Sequence, residues 1–186
     1  MDQAGRSDRL RRHLTPRLLL VLATIAFGAC EAGSMPATPP IVAGASGAPR
    51  EVNLIAKDYV FLPATLDLVP GETILLHVIN GGLEPHEAII GNAAVQDAWE
   101  SAEAATIGAP PGPTPPVSVP PDVAGLRVIV RSGERVDVVW TVPSSGTGGA
   151  GGMSQTGAPE PWIVGCHIPG HWDQGMSIPV RWVSGS

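Results

Sequence analysis

Gly165-Cys166-His167-Ile168-Pro169-Gly170-His171-Trp172-Asp173-Gln174-Gly175-Met176 is the stretch from which the rest of the chain is best read. Cysteine, histidine and methionine follow one another with four residues between each successive pair. Pro169-Gly170 in the middle lets the segment bend, so the three side chains can converge on one point. Thiolate and thioether are soft donors and imidazole is intermediate, a combination that points to a metal rather than to a packed core.

A trigonal His₂Cys set with a weak axial Met is the pattern of an electron-transfer copper site. One more histidine is then needed from elsewhere, and His86 is the candidate. It follows a strand ending at Asn80 and the turn-like Gly81-Gly82, and it starts the apolar segment Ala88-Ile89-Ile90. A ligand at the start of one strand can meet a loop joining the last two strands at the same end of a sandwich. Cu(I) prefers soft donors and Cu(II) prefers nitrogen, so a fixed intermediate set lets the ion change charge with little ligand movement.

Outward from this stretch, short alternating segments recur. Val52, Leu54 and Ala56 alternate with Asn53 and Lys57; Ile74, Leu76 and Val78 share one face of the next clear strand. Val136, Val138, Trp140 and Val142 alternate with Arg135, Asp137 and Thr141, and Ile178, Val180 and Trp182 alternate with Ser177 and Arg181. Period two with Gly and Pro between the segments predicts half-buried antiparallel strands. Pro70-Gly71 is expected to be a hairpin or a sheet-crossing turn. Val95, Ala98, Trp99 and Ala102 fall at helical spacing, predicting one short helix over 94–105. A Pro-rich loop is expected over 109–121 and a mobile Gly/Ser-rich loop over 144–158. The fold class expected is all-β, a Greek-key sandwich with one inserted helix.

Composition agrees. In 186 residues, Gly 23 and Pro 20 fit a turn-rich chain, and a net charge of −6 excludes a nucleic-acid binder, which needs a basic footprint. The charge is uneven: Arg6, Arg9, Arg11, Arg12 and Arg17 precede Cys30, and the remainder has 6 basic against 15 acidic residues, or −9. The apolar run from Leu18 to Ala29 behind this basic start has the shape of an export signal and is too short to span a bilayer, which takes about 20 residues. Phe27-Gly28-Ala29-Cys30 resembles the lipobox of bacterial lipoproteins, implying lipid on Cys30; ordinary secretion with cleavage nearby is the other reading. The organisation expected is a signal peptide over 1–29, a Pro/Gly-rich tether over 30–49 and a domain over 50–186. Cys30 and Cys166 are the only cysteines. With Cys30 lipidated, Cys166 is a lone thiol in an oxidising compartment, which a metal would explain.

Taken together, these residues resemble the cupredoxins, the blue-copper family that includes auracyanin, rusticyanin and plastocyanin. Phe61-x-Pro63 followed by Leu66, Leu68 and Pro70-Gly71-Glu72 resembles the family's opening half. Asn80 to His86-Glu87 is similar to its first ligand region, and Cys166 to Met176 to its ligand loop. The resemblance covers about residues 51–183. It implies a type 1 copper ion with His86, Cys166 and His171 in the plane and Met176 axial. It also implies that His171 lies at the exposed apolar end, with Trp172 and Ile168 in a docking patch. In one departure, many members have Asn directly after the first histidine, where this chain has Glu87.

Other constellations fail on their own residues. A trinuclear copper enzyme needs a histidine before the cysteine and His-x-His pairs; this chain has Gly165 and no such pair. His167 is therefore read as a non-ligand pointing away from the Cys166 side, and His77, mid-strand, as structural. A dinuclear copper centre needs a second cysteine in the loop, and zinc seldom uses Met. The expected role is a one-electron carrier outside the cytoplasmic membrane, not an enzyme. Its expected partners are c-type cytochromes or membrane oxidase complexes. The alternative is a copper delivery or storage protein; Met-rich tracts would favour it, but Met35 and Met153 are isolated.

Overall fold

Wherever apolar and polar residues alternate, the chain is extended. In the structure, a computed structural model that describes residues 39–107, 117–144 and 160–186, nine strands and one α-helix form. The strands are β1 (Arg50–Lys57), β2 (Val60–Leu62), β3 (Leu66–Leu68), β4 (Thr73–Asn80), β5 (His86–Gly91), β6 (Leu126–Val130), β7 (Arg135–Thr141), β8 (Ile163–Gly165) and β9 (Ser177–Trp182). One sheet has the order β2-β1-β4-β7 and the other β3-β9-β8-β5-β6. Val52, Leu54, Ile74 and Leu76 of the first meet Leu66, Ile90, Val164 and Ile178 of the second in one core. Each such side chain, taken out of water, contributes about 1.5–3 kcal/mol. The all-β sandwich with one helix is as expected.

Strand direction is not. Antiparallel pairing was expected, yet β1 runs parallel to β4, with Leu54 opposite Val78, and β3 parallel to β9, with Leu66 opposite Val180. Period two reports which face is buried and carries nothing about direction. Pro70-Gly71 proves to be a crossing between sheets, because β3 and β4 lie in different ones, and Gly71 turns with φ 79°.

The helix α1 (Ala93–Ala104) starts at Asn92, whose side chain accepts the Val95 N–H at 3.2 Å as an N-cap. It docks on β5 through Val95 and Trp99 against Ile89, and the Trp99 indole N–H donates to the Ala124 carbonyl at 2.9 Å. Of the expected stripe, Val95 and Trp99 are buried while Ala98 and Ala102 are half-buried; Gln96 and Glu103 are buried beside them. With core on one side and helix on the other, every residue of β5 is buried, so this strand shows no alternation.

Contact with the sandwich begins before residue 50. Ile41 accepts the Ser186 N–H at 3.0 Å, and Gly44 accepts the Thr73 N–H at 2.9 Å. No helix among the described residues is long and apolar enough to cross a membrane. The expected signal peptide, Cys30, and most of both expected loops (108–116 and 145–159) lie outside the described residues.

Candidate metal centre

His86 opens β5, Cys166 follows β8 directly, and His171 and Met176 lie on the segment running from Cys166 into β9. The sandwich therefore brings the His86, Cys166 and His171 side chains together at one end, with the Met176 backbone bonded to two of them. That segment is shaped by its own backbone. The His171 N–H donates to Ile168 O at 2.9 Å and the Met176 N–H to His171 O at 3.2 Å, while Cys166 N–H donates to Met176 O at 3.1 Å. Gly170 turns with φ 88°, a left-handed conformation that a side chain would strain.

Three donors converge. His86, Cys166 and His171 are buried, and their ligand atoms all lie within 4.8 Å of one another. His86 Nδ1 is 3.2 Å from His171 Nδ1, which is 3.3 Å from Cys166 Sγ. Met176, wholly buried, is tied by its backbone to both Cys166 and His171. Among the described residues this is the one such His/Cys/Asp/Glu group. His77 and His167, read as non-ligands, stand outside it.

The electrostatics suit a metal that displaces protons. Burial, above all, pushes the Cys166 thiol up to about 12, although the Glu87 and Ile168 N–H groups donate to its sulfur and pull the other way. Burial, and then the neighbouring His86, hold His171 below the ordinary imidazole range, so it stays neutral. A cation binds the thiolate and the neutral imidazole, so Cys166 must release its proton on binding whereas His171 need not. The donor set fits a type 1 copper ion.

Around the donors lies a shell that the sequence pattern barely announces. Glu87, the departure from the family's Asn, is wholly buried; its Oε1 accepts the His167 N–H at 3.0 Å and its Oε2 accepts Arg127 Nε at 2.6 Å. The Glu87 N–H also faces Cys166 Sγ at 3.5 Å. Arg127 reaches on to Glu103 of α1 at 2.5 Å and lies 4.3 Å over the Trp99 ring. Glu87 therefore braces the segment that carries Cys166, as part of a charged chain that ends on the inserted helix.

His167 points to α1, as its place beside Cys166 on an extended segment requires. Its Nδ1 lies 2.6 Å from Glu100 Oε2, and its Nε2 lies 2.8 Å from Gln96 Oε1. Trp172, expected in a docking patch, is half-buried and stacks on His167 with centroids 4.7 Å apart. That packing fixes Gly165, since a Cβ there would meet the Trp172 ring at 2.5 Å and Gln96 Oε1 at 2.6 Å.

On the other flank, Asn80 shapes the approach to His86: its Nδ2 donates to Glu84 O at 2.7 Å and its Oδ1 accepts the Gly82 N–H at 2.8 Å. Asp58, which the sequence reading did not single out, lies 2.8 Å from His86 Nε2. The N–H groups of Leu83 and then Glu84, followed by His86, hold the Asp58 carboxyl below its ordinary value. Arg127, Gln96 and Glu103 were missed as well. Nothing local marks any of them, because each finds its partner across the fold.

No protein-family model matches the chain, and no curated protein matches it. Among solved structures it is similar to reduced auracyanin from the photosynthetic bacterium Roseiflexus castenholzii, at 17% identity and TM-score 0.51, covering 75% of this chain and 99% of that one. It is likewise similar to auracyanin A, a "blue" copper protein from the green thermophilic photosynthetic bacterium Chloroflexus aurantiacus, at 19% identity and TM-score 0.52, covering 73% and 100%. Likeness at this level of identity speaks for architecture, and the architecture of this chain is the cupredoxin fold.

Proposed function

We propose that this chain is a type 1 (blue) copper protein that carries single electrons outside the cytoplasmic membrane. The observation that carries the reading is the convergence of His86 Nδ1, His171 Nδ1 and Cys166 Sγ within 4.8 Å, fully inside one end of a rigid sandwich. His86, Cys166 and His171 would hold the ion and Met176 would be its axial partner. Copper supplies reversible one-electron exchange at a site whose ligands are fixed beforehand. The protein's own part is to keep water out and the donors still. Cys166 and Met176 are wholly buried, His86 likewise, and His171 is only 7% exposed.

A carrier rather than an enzyme is the reading the sequence favours: a trinuclear copper enzyme needs a histidine before the cysteine and His-x-His pairs, and this chain has Gly165 and no such pair. His171 is the ligand nearest solvent, with half-buried Ile168 and exposed Pro169 and Gly170 beside it, and is where an electron would leave. The excess of acidic residues after Cys30 favours a basic partner, such as a c-type cytochrome, over an acidic one. Export follows from the basic start and apolar run, with lipid on Cys30 as tether.

The test is the visible and EPR spectrum of the mature chain, with Cys30→Ser to keep it lipid-free, after one equivalent of Cu(II). Intense blue absorption with narrow copper hyperfine splitting is expected. A pale spectrum, or no stable binding, overturns the reading. Cys166→Ser removes the blue colour, and Met176→Leu keeps copper while raising the potential. Repeated reduction and reoxidation without copper loss separates a carrier from a delivery or storage protein.

A further inference from the structure

His86 has two ring nitrogens, and only one faces the other donors. Nδ1 lies 3.2 Å from His171 Nδ1, while Nε2 points outward to Asp58 Oδ1 at 2.8 Å. Asp58 sits between β1 and β2, 28 residues before His86. Its carboxylate is held in place by the Leu83 N–H, 2.9 Å from Oδ2, and the Glu84 N–H, 3.2 Å from Oδ1. Gly82 makes room for it: a Cβ at that position would run into Asp58 Oδ1. Tyr59, the next residue, sets its ring edge-on to both His171, at 4.9 Å, and His86, at 6.3 Å. The turn that supplies the carboxylate thus also covers the histidine pair.

An ionised carboxylate only accepts hydrogen bonds, so the hydrogen of a neutral His86 must sit on Nε2, leaving the Nδ1 lone pair for the metal. A histidine that donates to a carboxylate is a stronger base toward its metal, and a fixed negative charge behind it favours the more highly charged ion. We propose that Asp58 is a positioning residue of the copper site, fixing His86 as an Nδ1 ligand and lowering the reduction potential by favouring Cu(II) over Cu(I). This rests on the copper reading above and adds to it a residue outside the ligand set.

The experiment compares the wild-type mature chain with Asp58→Asn, which keeps an oxygen acceptor for the loop N–H groups but carries no charge. Circular dichroism checks the fold. The expected result is a blue variant with a higher potential. Its Cu(II) affinity falls about 10–100-fold, the usual effect of losing such a partner, and its Cu(I) affinity falls less. An unchanged potential, with an unchanged Cu(II)-to-Cu(I) affinity ratio, overturns the proposal while the blue wild type keeps the copper reading intact. A wild type that is not blue overturns both.

Should Asp58→Asn fail to fold, the diamagnetic Cu(I) wild type decides by ¹⁵N-resolved NMR of its histidine rings. A His86 Nε2–H protected from exchange with water supports the proposal; a hydrogen on Nδ1, or an Nε2–H exchanging as freely as a surface histidine's, overturns it.

Discussion

Two buried glutamates, Glu72 and Glu87, use the same device at opposite ends of the sandwich. Glu72 precedes β4 and Glu87 lies in β5, just beyond the loop that follows β4. Each side chain is fully inaccessible and each is bonded to an arginine on a strand, Arg50 at 2.5 Å and Arg127 at 2.6 Å. They differ in what else they hold. Glu72 accepts the Val69 N–H at 2.8 Å and the Gly44 N–H at 3.4 Å, closing a turn and pinning the entering chain. Glu87 accepts the His167 N–H, one residue from the cysteine, and its arginine is shared with Glu103 on the helix. The same chemistry is a clamp at one end and a support for the metal loop at the other. Burying a charge is costly unless it is paired and fully bonded, so each glutamate commits its surroundings to one arrangement.

Breaking each pair is the strongest way to separate these roles. Arg127→Leu strands Glu87 and Glu103 and is expected to lower the stability of the metal-free protein by about 3 kcal/mol. Arg50→Leu strands Glu72 and costs about the same. Denaturant unfolding checks both. Only Arg127→Leu is expected to shift the copper absorption or EPR of the loaded protein; an equal spectral change in Arg50→Leu would erase the distinction.

Milder substitutions sharpen it. Glu87→Gln and Glu72→Gln keep an oxygen acceptor and drop the charge, each costing about 2 kcal/mol, the size of a hydrogen bond to a charged group. The amide of His167 should then exchange faster with solvent in Glu87→Gln alone.

A pH series of the metal-free protein contrasts Glu72 with Glu103, the helix carboxylate at the far end of the Glu87 chain. Burial by itself would raise Glu72, but the Arg50 hydrogen bond, the Val69 N–H and the Arg50 charge together take it below its ordinary 4.5. Its stabilisation is therefore full above pH 4.5 and lost as the pH falls through the lower folded value. Glu103 is raised above 4.5, by burial first and then by the Glu87 charge. The folded protein holds that proton more tightly, so this contribution is full below 4.5 and fades as the pH rises through the folded value. Glu72→Gln should flatten the acid branch of the stability curve, and Glu103→Gln the decline on the other side.

The smallest effect lies on the solvent face of the sheet that carries no ligand. Val139 of β7 is 63% exposed, and Val139→Thr is expected to stay within about 0.5 kcal/mol of wild type with no spectral change. A larger loss would mean that this face is covered by something in solution.

Legibility in the sequence followed locality. The strands β1, β7 and β9 were readable because one face of each is wetter than the other, so apolar residues alternate along them. β4 is apolar on both faces and was readable from Ile74, Leu76 and Val78. β5 was readable only as an apolar run behind His86, since the helix covers its outer face. The helix itself was placed to within a residue at each end, but its buried Gln96 and Glu103 did not look like core residues. Both are inside because partners met them there: three backbone carbonyls and His167 for Gln96, and Arg127 for Glu103.

The sequence by itself singled out Cys166, His171 and Met176 as candidate ligands, because their spacing and the Pro-Gly bend are properties of one short segment. It pointed to His86 through the strand and turn around it. Tertiary structure alone decided that β1 and β4 run parallel and that Arg127 serves both Glu87 and Glu103. It also decided that Asp58 stands behind His86. These contacts join residues 28, 40 and 24 positions apart, and no local pattern encodes which distant polar group a buried charge will meet. That choice is made when two sheets and a helix close on one another and every buried polar group must find a partner.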